Sequence, residues 1–183
     1  FSKFARTSKP ETKLQDISQL MRDAVLLQQT GQPGVAITVD LPKGPVMAEV
    51  DASMLSQALT NLIKNAGEAI DTLQEKSERD DITPMIKVAL RCVGTTVQIT
   101  IADNGIGLPE DRARLFEPYV TNRSEGTGLG LPIVKKIIEE HGGTLTLENA
   151  PVFEGQTYFG AMAVITLPLA APIETPELET QDE

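Results

Sequence analysis

The sequence contains no tryptophan, one cysteine and one histidine among its 183 residues, and aromatic residues make up 4% of it. Because Cys92 is the single thiol, the chain has no internal disulfide, which is consistent with a reducing cytoplasm. The longest apolar stretch, residues 161–171, contains Thr166 and Pro168 and is too short to cross a bilayer. The sequence therefore predicts a cytoplasmic segment without disulfides or membrane spans.

The charge is strongly negative, with a net value of −10, which argues against a nucleic-acid partner. Part of that charge lies in residues 171–183, which contain five acidic residues, no basic residue and two prolines. This composition predicts a disordered acidic tail. With 40% hydrophobic residues, the rest predicts one domain at residues 14–170. Residues 1–13 are basic and interrupted by Pro10, and we expect them to be the end of a preceding helix followed by a linker.

Hydrophobic periodicity predicts helices alternating with strands. Asp16 and Asp51 are the expected N-caps of the first two helices, and Gly94 is the expected turn of a hairpin. The predicted helices cover residues 14–30, 51–74 and 129–138, and the predicted strands cover residues 35–40, 46–50, 85–93, 95–103, 144–148 and 158–167. This order predicts an α+β two-layer sandwich in which a mostly antiparallel sheet packs on about three helices.

The strand at residues 95–103 ends in Asp103, and glycines follow directly at positions 105 and 107. A carboxylate at the end of a β-strand can accept a hydrogen bond from an exocyclic amine. Glycines beside it allow the backbone to approach a flat ring, where a side chain would collide. We therefore predict that Asp103, Gly105 and Gly107 bind an adenine.

A second glycine segment, Gly126-Thr127-Gly128-Leu129-Gly130-Leu131, leads into an apolar helix. Free amides in a glycine turn and the positive end of a helix form a site for phosphate. Pro132 is compatible with the first turn of such a helix, where its missing N–H costs nothing.

The helix at residues 51–74 has a polar stripe with spacings of three and four: Gln57, Asn61, Lys64, Asn65 and Glu68. Asparagine is a poor helix former, so Asn61 and Asn65 one turn apart indicate a function that offsets this cost. Carboxamide oxygens suit Mg²⁺, which takes few protein ligands when it is bound to ATP. The alternative is a solvated face with two incidental asparagines, and the neighbouring glycine segments favour the metal interpretation.

Residues 108–126 have few apolar and several charged side chains, which predicts a loop able to close over a ligand. Arg123 or Lys135 is a candidate for phosphate contact, with a solvated surface charge as the alternative for each. Phe116 is interpreted as a hydrophobic anchor for this loop.

Four segments in this order resemble the boxes of sensor histidine kinases. Asn61-Leu-Ile-Lys-Asn65 is similar to the N box, Asp103-Asn-Gly-Ile-Gly107 to the G1 box, Leu115-Phe-Glu-Pro118 to the F box, and residues 126–131 to the G2 box. The resemblance covers roughly residues 16–169. Gly67-Glu68 and the opening residues 1–6 resemble the nitrogen-regulation branch, in particular NtrY-like kinases.

The resemblance implies the Bergerat, or GHKL, fold with ATP and Mg²⁺ bound. It places Asp103 on the adenine amine, Asn65 on Mg²⁺, and Asn61 and Lys64 near the phosphates as catalytic residues. The full set of implied nucleotide contacts is Asn61, Asn65, Glu68, Asp103, Gly105, Ile106, Gly107, Leu108, Phe116, Thr121, Arg123, Gly126, Thr127, Gly128, Leu129, Gly130 and Leu131.

Such kinases phosphorylate a histidine on a separate helical hairpin, and here the only histidine is His141, beside two glycines at a predicted helix end. A structural role is expected for it, because imidazole is common at helix C-termini. The resemblance then implies three things outside the chain: a histidine-bearing dimerisation domain, a response regulator, and a membrane anchor of the full-length protein.

Two other functions stay open at this point. The first is a GHKL-type ATPase or clamp in which Glu68 acts as the base. The second is a nucleotide-regulated binding module of the anti-sigma or pseudokinase kind, since a fold and a binding site do not establish phosphoryl transfer.

Overall fold

The computed structural model describes residues 9–77, 81–117 and 130–171. Within these ranges the helices are α1 (Ile17–Gly31), α2 (Ala52–Lys76) and α3 (Gly130–Glu140), together with a short 3₁₀ helix at Ala113–Phe116. The strands are β1 (Lys13–Asp16), β2 (Ala36–Asp40), β3 (Met47–Val50), β4 (Met85–Val93), β5 (Thr96–Asp103), β6 (Thr144–Asn149) and β7 (Ala161–Pro168).

Five strands form the main sheet in the order β2-β4-β5-β7-β6, and β1 pairs with β3 in a separate two-stranded sheet. Only the β2-β4 pairing in the main sheet is parallel. The alternating residues on one face of β4, β5 and β7 are buried against the helices, with Ile86, Ile99 and Ile165 fully buried. The predicted α+β two-layer sandwich with three helices on a mostly antiparallel sheet is confirmed.

Helix α2 lies at the centre of the helical layer, in contact with both α1 and α3. Its apolar side, which includes Leu55, Leu59, Ile63 and Ile70, is fully buried. Asp51 caps its first turn as predicted, because the carboxylate accepts from the Met54 amide at 3.1 Å. The Met54 amide, followed by the Glu11 amide, holds the pKa of Asp51 below its usual value of 3.8.

The first helix and the two short strands differ from the predicted pattern. Residues 14 and 15 belong to β1 rather than to α1, because their backbone pairs with β3 in antiparallel register. Asp16 is the N-cap as predicted, and its Oδ1 accepts from the Ser18 amide at 3.0 Å and from the Val46 amide at 3.1 Å. Strands β2 and β3 are present where predicted, but they join different sheets.

The strand predicted from residue 158 begins only at Ala161, and the predicted turns agree with the structure. The hairpin of β4 and β5 turns at Gly94, which has φ 59°. Gly142, with φ 75°, follows α3 as the left-handed cap, and the Gly143 amide donates to Ile138 O at 3.0 Å. The predicted domain limits stay predictions, and the tail from residue 172 lies outside the described residues. None of the described helices has both the length and the apolar character of a membrane-crossing helix.

His141 joins the end of α3 to the start of α2. Its Nε2 accepts from the Asp51 amide at 3.0 Å, so Nδ1 carries the proton and donates to Ile137 O at 2.7 Å. The ring is 9% exposed. Both nitrogens are therefore engaged by backbone groups, which agrees with the predicted structural role.

Replacing His141 with alanine should lower the free energy of unfolding by about 1–3 kcal/mol, because two backbone groups lose a partner inside the protein. Urea titration measures this change. The matched control is Gln19→Ala on α1, where the exposed side chain bonds Asp23, and it should stay within about 0.5 kcal/mol of the parent. Equal unfolding midpoints for His141→Ala and the parent would contradict the structural role.

Candidate functional site

Asp103 ends β5 on the helical side of the sheet and is 5% exposed. Its Oδ1 accepts from the Gly105 amide at 2.8 Å and from the Ala161 amide at 3.3 Å. Burial raises its pKa to about 6, although both amides act in the opposite direction. A buried carboxylate that titrates near neutral pH marks a candidate functional site.

The turn after Asp103 lies directly on α2. The Ile106 amide donates to Ala69 O at 3.0 Å. A Cβ on Gly105 would lie 2.5 Å from the Ala69 carbonyl carbon, so the absence of a side chain at this position is required by helix packing as well. Whether Gly105 also contacts a ring stays a prediction.

The other residues of this turn are more open. Gly107 has φ 81°, and no described atom lies within 4 Å of the position its Cβ would occupy. Ile106 is 37% exposed and Leu108 is half-buried. An apolar and accessible surface thus borders the buried carboxylate, which suits a flat heterocycle with one polar edge.

The polar stripe of α2 faces the start of α3. A Cβ on Gly130 would lie 3.7 Å from Asn65 Nδ2 and 3.9 Å from its Oδ1. Asn65 and Ala69 are four residues apart, which is about 6 Å along a helix. The turn after Asp103 and the first residue of α3 therefore both meet α2 within about one helical turn.

The remaining stripe residues are accessible to differing degrees. Asn61 and Glu68 are half-buried, and Lys64 is exposed. They share the face of α2 that carries Asn65. Amide and carboxylate oxygens on one face of a helix can act as ligands of a hard cation. Among the described residues, no three His, Cys, Asp or Glu side chains group closely enough to hold a metal.

Phe116 and Leu131 pack partly buried against the main core. The Lys135 ammonium lies 4.7 Å above the Phe116 ring centre and 3.9 Å from the Glu139 carboxylate. Phe116 thus occupies an anchoring position, and its nucleotide contact stays a prediction. Six further predicted contacts lie outside the described residues: Thr121, Arg123, Gly126, Thr127, Gly128 and Leu129.

The sequence analysis missed several residues around Asp103. Asn104 is 1% exposed, and it accepts from the Met85 amide at 3.0 Å while donating to Thr83 O at 2.8 Å. Gly160, the last residue before β7, and Ala161, the first residue of β7, pack on Asp103. The position of Asn104 directly after Asp103 was a usable signal. Residues 160 and 161 gave no such sequence signal, because they are far from Asp103 in the chain.

A surface cleft of about 530 Å³ lies elsewhere, between α1 and β2. It is lined by apolar side chains such as Leu26 and Val39 and by the cationic residues Arg22 and Lys43. It contains none of the predicted nucleotide contacts.

Comparison with known proteins agrees with this geometry. Residues 50–171 match the family described as histidine kinase-, DNA gyrase B- and HSP90-like ATPase. The chain is 46% identical over 178 residues to the nitrogen regulation protein NtrY of Azorhizobium caulinodans, covering 96% of this chain and 22% of that protein. It is 39% identical over 124 residues to the sensory histidine kinase/phosphatase NtrB of Rhodobacter capsulatus, covering 66% of this chain and 33% of that protein.

A solved structure of the mycobacterial sensor histidine kinase MprB has the same fold, with a TM-score of 0.72 and 22% identity, covering 88% of this chain and 99% of that one. The chain spans about a fifth to a third of the length of the two curated relatives. Because the family match covers α2, α3 and four of the five strands of the main sheet, this chain belongs to the histidine kinase-, DNA gyrase B- and HSP90-like ATPase family and is related to the ATP-binding domains of NtrY-like sensor histidine kinases.

Proposed function

We propose that this chain binds Mg-ATP beside Asp103 and transfers the γ-phosphoryl group to a histidine on a separate dimerisation domain. The observation that carries this proposal is the buried Asp103 carboxylate, whose following turn packs on α2 at Ala69, one helical turn from Asn65. The named relatives include sensor kinases, so the ATPase and binding-module alternatives are not favoured.

The adenine end of the ligand lies against Asp103. The carboxylate accepts a hydrogen bond from the exocyclic amine, while Ile106 and Leu108 contact the ring. Gly107 leaves the backbone open at the ring edge. Adenine suits this surface because it combines an apolar face with a single amine at its edge.

The phosphate end lies along α2 and the start of α3. The side-chain amide oxygen of Asn65 is a suitable ligand for a Mg²⁺ ion whose other ligands are phosphate and water oxygens. Glu68 follows three residues later on the same face of α2. Asn61 and Lys64 contact the phosphates from the same stripe, and Gly130 and Leu131 begin α3 there. Bound Mg²⁺ would neutralise charge on the triphosphate during transfer.

The acceptor histidine comes from outside the chain, because His141 is its only histidine and both ring nitrogens are bonded to backbone. In the transfer, a nitrogen of the acceptor histidine bonds the γ-phosphorus, and the bond to the β,γ-bridging oxygen breaks to release ADP. A response regulator is the expected next acceptor. We place this domain on the cytoplasmic side of a membrane-anchored protein.

Asn61 supports transfer over hydrolysis. A carboxamide does not accept a proton as a carboxylate does, so Asn61 is a poor general base for water. The site supplies position and charge neutralisation, which are the main requirements of phosphoryl transfer.

Mixing this chain with Mg-ATP labelled at the γ-phosphate and a histidine-bearing dimerisation domain from an NtrY-like kinase should give acid-labile phosphohistidine on the added domain. His141→Gln is the matched variant: transfer should persist, because His141 is not the acceptor. Label on His141 of the isolated chain would contradict the proposal, and so would the absence of label from the added domain.

Asn65→Ala should weaken Mg-ATP binding by at least about tenfold, because the ion loses a protein oxygen. Isothermal titration with Mg²⁺ and with EDTA measures the effect. Gln74→Ala, an exposed change on the same helix, should leave affinity unchanged. If Asn65→Ala lowers the affinity for ATP by the same factor in EDTA as in Mg²⁺, then Asn65 does not act through the cation.

Asp103→Asn should weaken ATP binding by about a hundredfold, because an amide group replaces the acceptor oxygen that faces the amine. It should also remove a pH dependence of stability. The folded pKa of about 6 lies above the usual 3.8, so the parent loses stability as pH rises through this window. The loss is about 3 kcal/mol, complete above pH of about 6.

Urea titrations at acid and neutral pH measure the pH dependence of stability, and ATP titrations measure the loss of affinity in Asp103→Asn. The parent's ATP affinity should fall as pH drops below about 6, because the protonated carboxyl must first lose its proton. An Asp103→Asn variant with parental affinity for ATP would contradict the adenine assignment.

A further inference from the structure

The surface between α1 and β2 combines apolar and cationic side chains in one cleft. The cleft has a volume of about 530 Å³ and includes Leu26, which is 69% exposed, and Val39, which is 40% exposed. Clefts of about 300–1,000 Å³ are large enough to take a ligand or the side chains of a partner. Apolar side chains exposed together in such a cleft favour a partner that buries them.

The charge of the cleft restricts the kind of partner. Arg22 and Lys43 are exposed and line it, and none of its other lining residues is charged. Among the described residues, no ion pair involves either cation. Asp40, the carboxylate at the end of β2, is already paired with Arg91. The cleft therefore suits a segment that carries carboxylates beside an apolar side chain.

Strand β2 also leaves an edge of the main sheet open beside the cleft. It is the first strand in the order β2-β4-β5-β7-β6, so its outer side pairs with no strand in the part of the chain that the structure describes. Proteins commonly cover such an edge with a helix or a loop, because its unpaired backbone groups invite association. A segment of the same chain would serve this purpose.

The C-terminal residues 172–183 have the matching composition. They contain five carboxylate side chains and no cation, and Leu178 lies directly between Glu177 and Glu179. Segments with so few apolar residues cannot form a core of their own, but they can order against a surface that already exists. Residues 172–183 are thus complementary to the cleft in charge and in apolar character.

These residues also start close to the cleft. The Ala170 amide donates to Met47 O at 3.1 Å. Met47 follows Lys43 by four residues, which span at most about 14 Å. The twelve residues 172–183 reach up to about 40 Å when they are extended. The cleft is therefore within reach, and because attachment raises the local concentration to about the millimolar range, weak contacts suffice for docking.

We propose that residues 172–183 dock in the cleft between α1 and β2 of the same chain. Leu178 contacts Leu26 there, and the carboxylates that flank Leu178 face the two cations of the cleft. This docking goes beyond the proposed function, since the cleft contains none of the predicted nucleotide contacts. It removes apolar surface of α1 from water and covers the open side of β2.

Paramagnetic relaxation in the full chain tests the docking. A nitroxide is attached at Thr180→Cys in a Cys92→Ser background, which removes the exposed native thiol. The amide signals of Leu26 and Val39 should lose much more intensity than those of β6, which lies four strands from β2, or about 19 Å across the sheet.

Two adjacent leucines of α1 provide a matched pair of variants. Leu26→Ser should reduce the relaxation enhancement at Val39 by at least about fivefold, because Leu178 loses its apolar contact. Leu27→Ser is the control: Leu27 is 61% exposed but does not line the cleft, so the enhancement should equal the parental one. Affinity for Mg-ATP should be parental in both variants, which separates a failure of docking from a failure of the proposed function.

Reversing the charges tests the polar contacts. Arg22→Glu combined with Lys43→Glu should reduce the enhancement at Val39 by about tenfold, and adding Glu177→Lys and Glu179→Lys to the same protein should restore it. Raising the salt concentration to about 1 M should also weaken the parental enhancement, because the Debye length falls to about 3 Å.

Three results would overturn the inference. The first is equal signal loss at β2 and β6. The second is a parental enhancement in both Leu26→Ser and the variant with Arg22 and Lys43 reversed. The third is an enhancement that appears only between isotope-labelled chains and separate nitroxide-bearing chains and disappears on dilution, because it would assign the cleft to a second copy of the chain.

Discussion

A buried carboxylate at the end of a strand is the constraint on which the site depends. Asp103 keeps its position because its Oδ1 accepts from the amides of nearby Gly105 and of distant Ala161, and because Gly105 lies against the backbone of α2. Strands β5 and β7 and helix α2 therefore converge at one point. Burial makes ionisation of Asp103 unfavourable, and the adenine amine in the proposed function would offset that cost.

Helix α2 connects the turn after Asp103 to the core of the domain. One side forms the core with α1, α3 and the sheet, and the other side carries Asn61, Asn65 and Glu68, with Asn65 beside the first residue of α3. Asparagines weaken an isolated helix, but here the Asp51 cap and the buried side stabilise it. Stability and chemistry are thus divided between opposite faces of one helix.

Much of the domain was predictable from the sequence because the signals are local. Asp16 and Asp51 act as caps through bonds to amides two and three residues away, and Gly94 and Gly142 adopt positive φ at the expected turns. The α+β class followed from periodicity, since each element shows its buried side within its own residues. Of the glycines predicted to bind the nucleotide, Gly105 makes a close backbone approach, and it does so to α2.

The sequence by itself determined the helices, the hairpin of β4 and β5, and the residue types available for adenine and phosphate. Only the tertiary structure decided that residues 14–15 pair with β3, that β2 joins β4 in parallel, and that the Ala161 amide at the start of β7 donates to Asp103. Strand pairing and close packing depend on residues tens of positions apart, and no local pattern records which of them will meet.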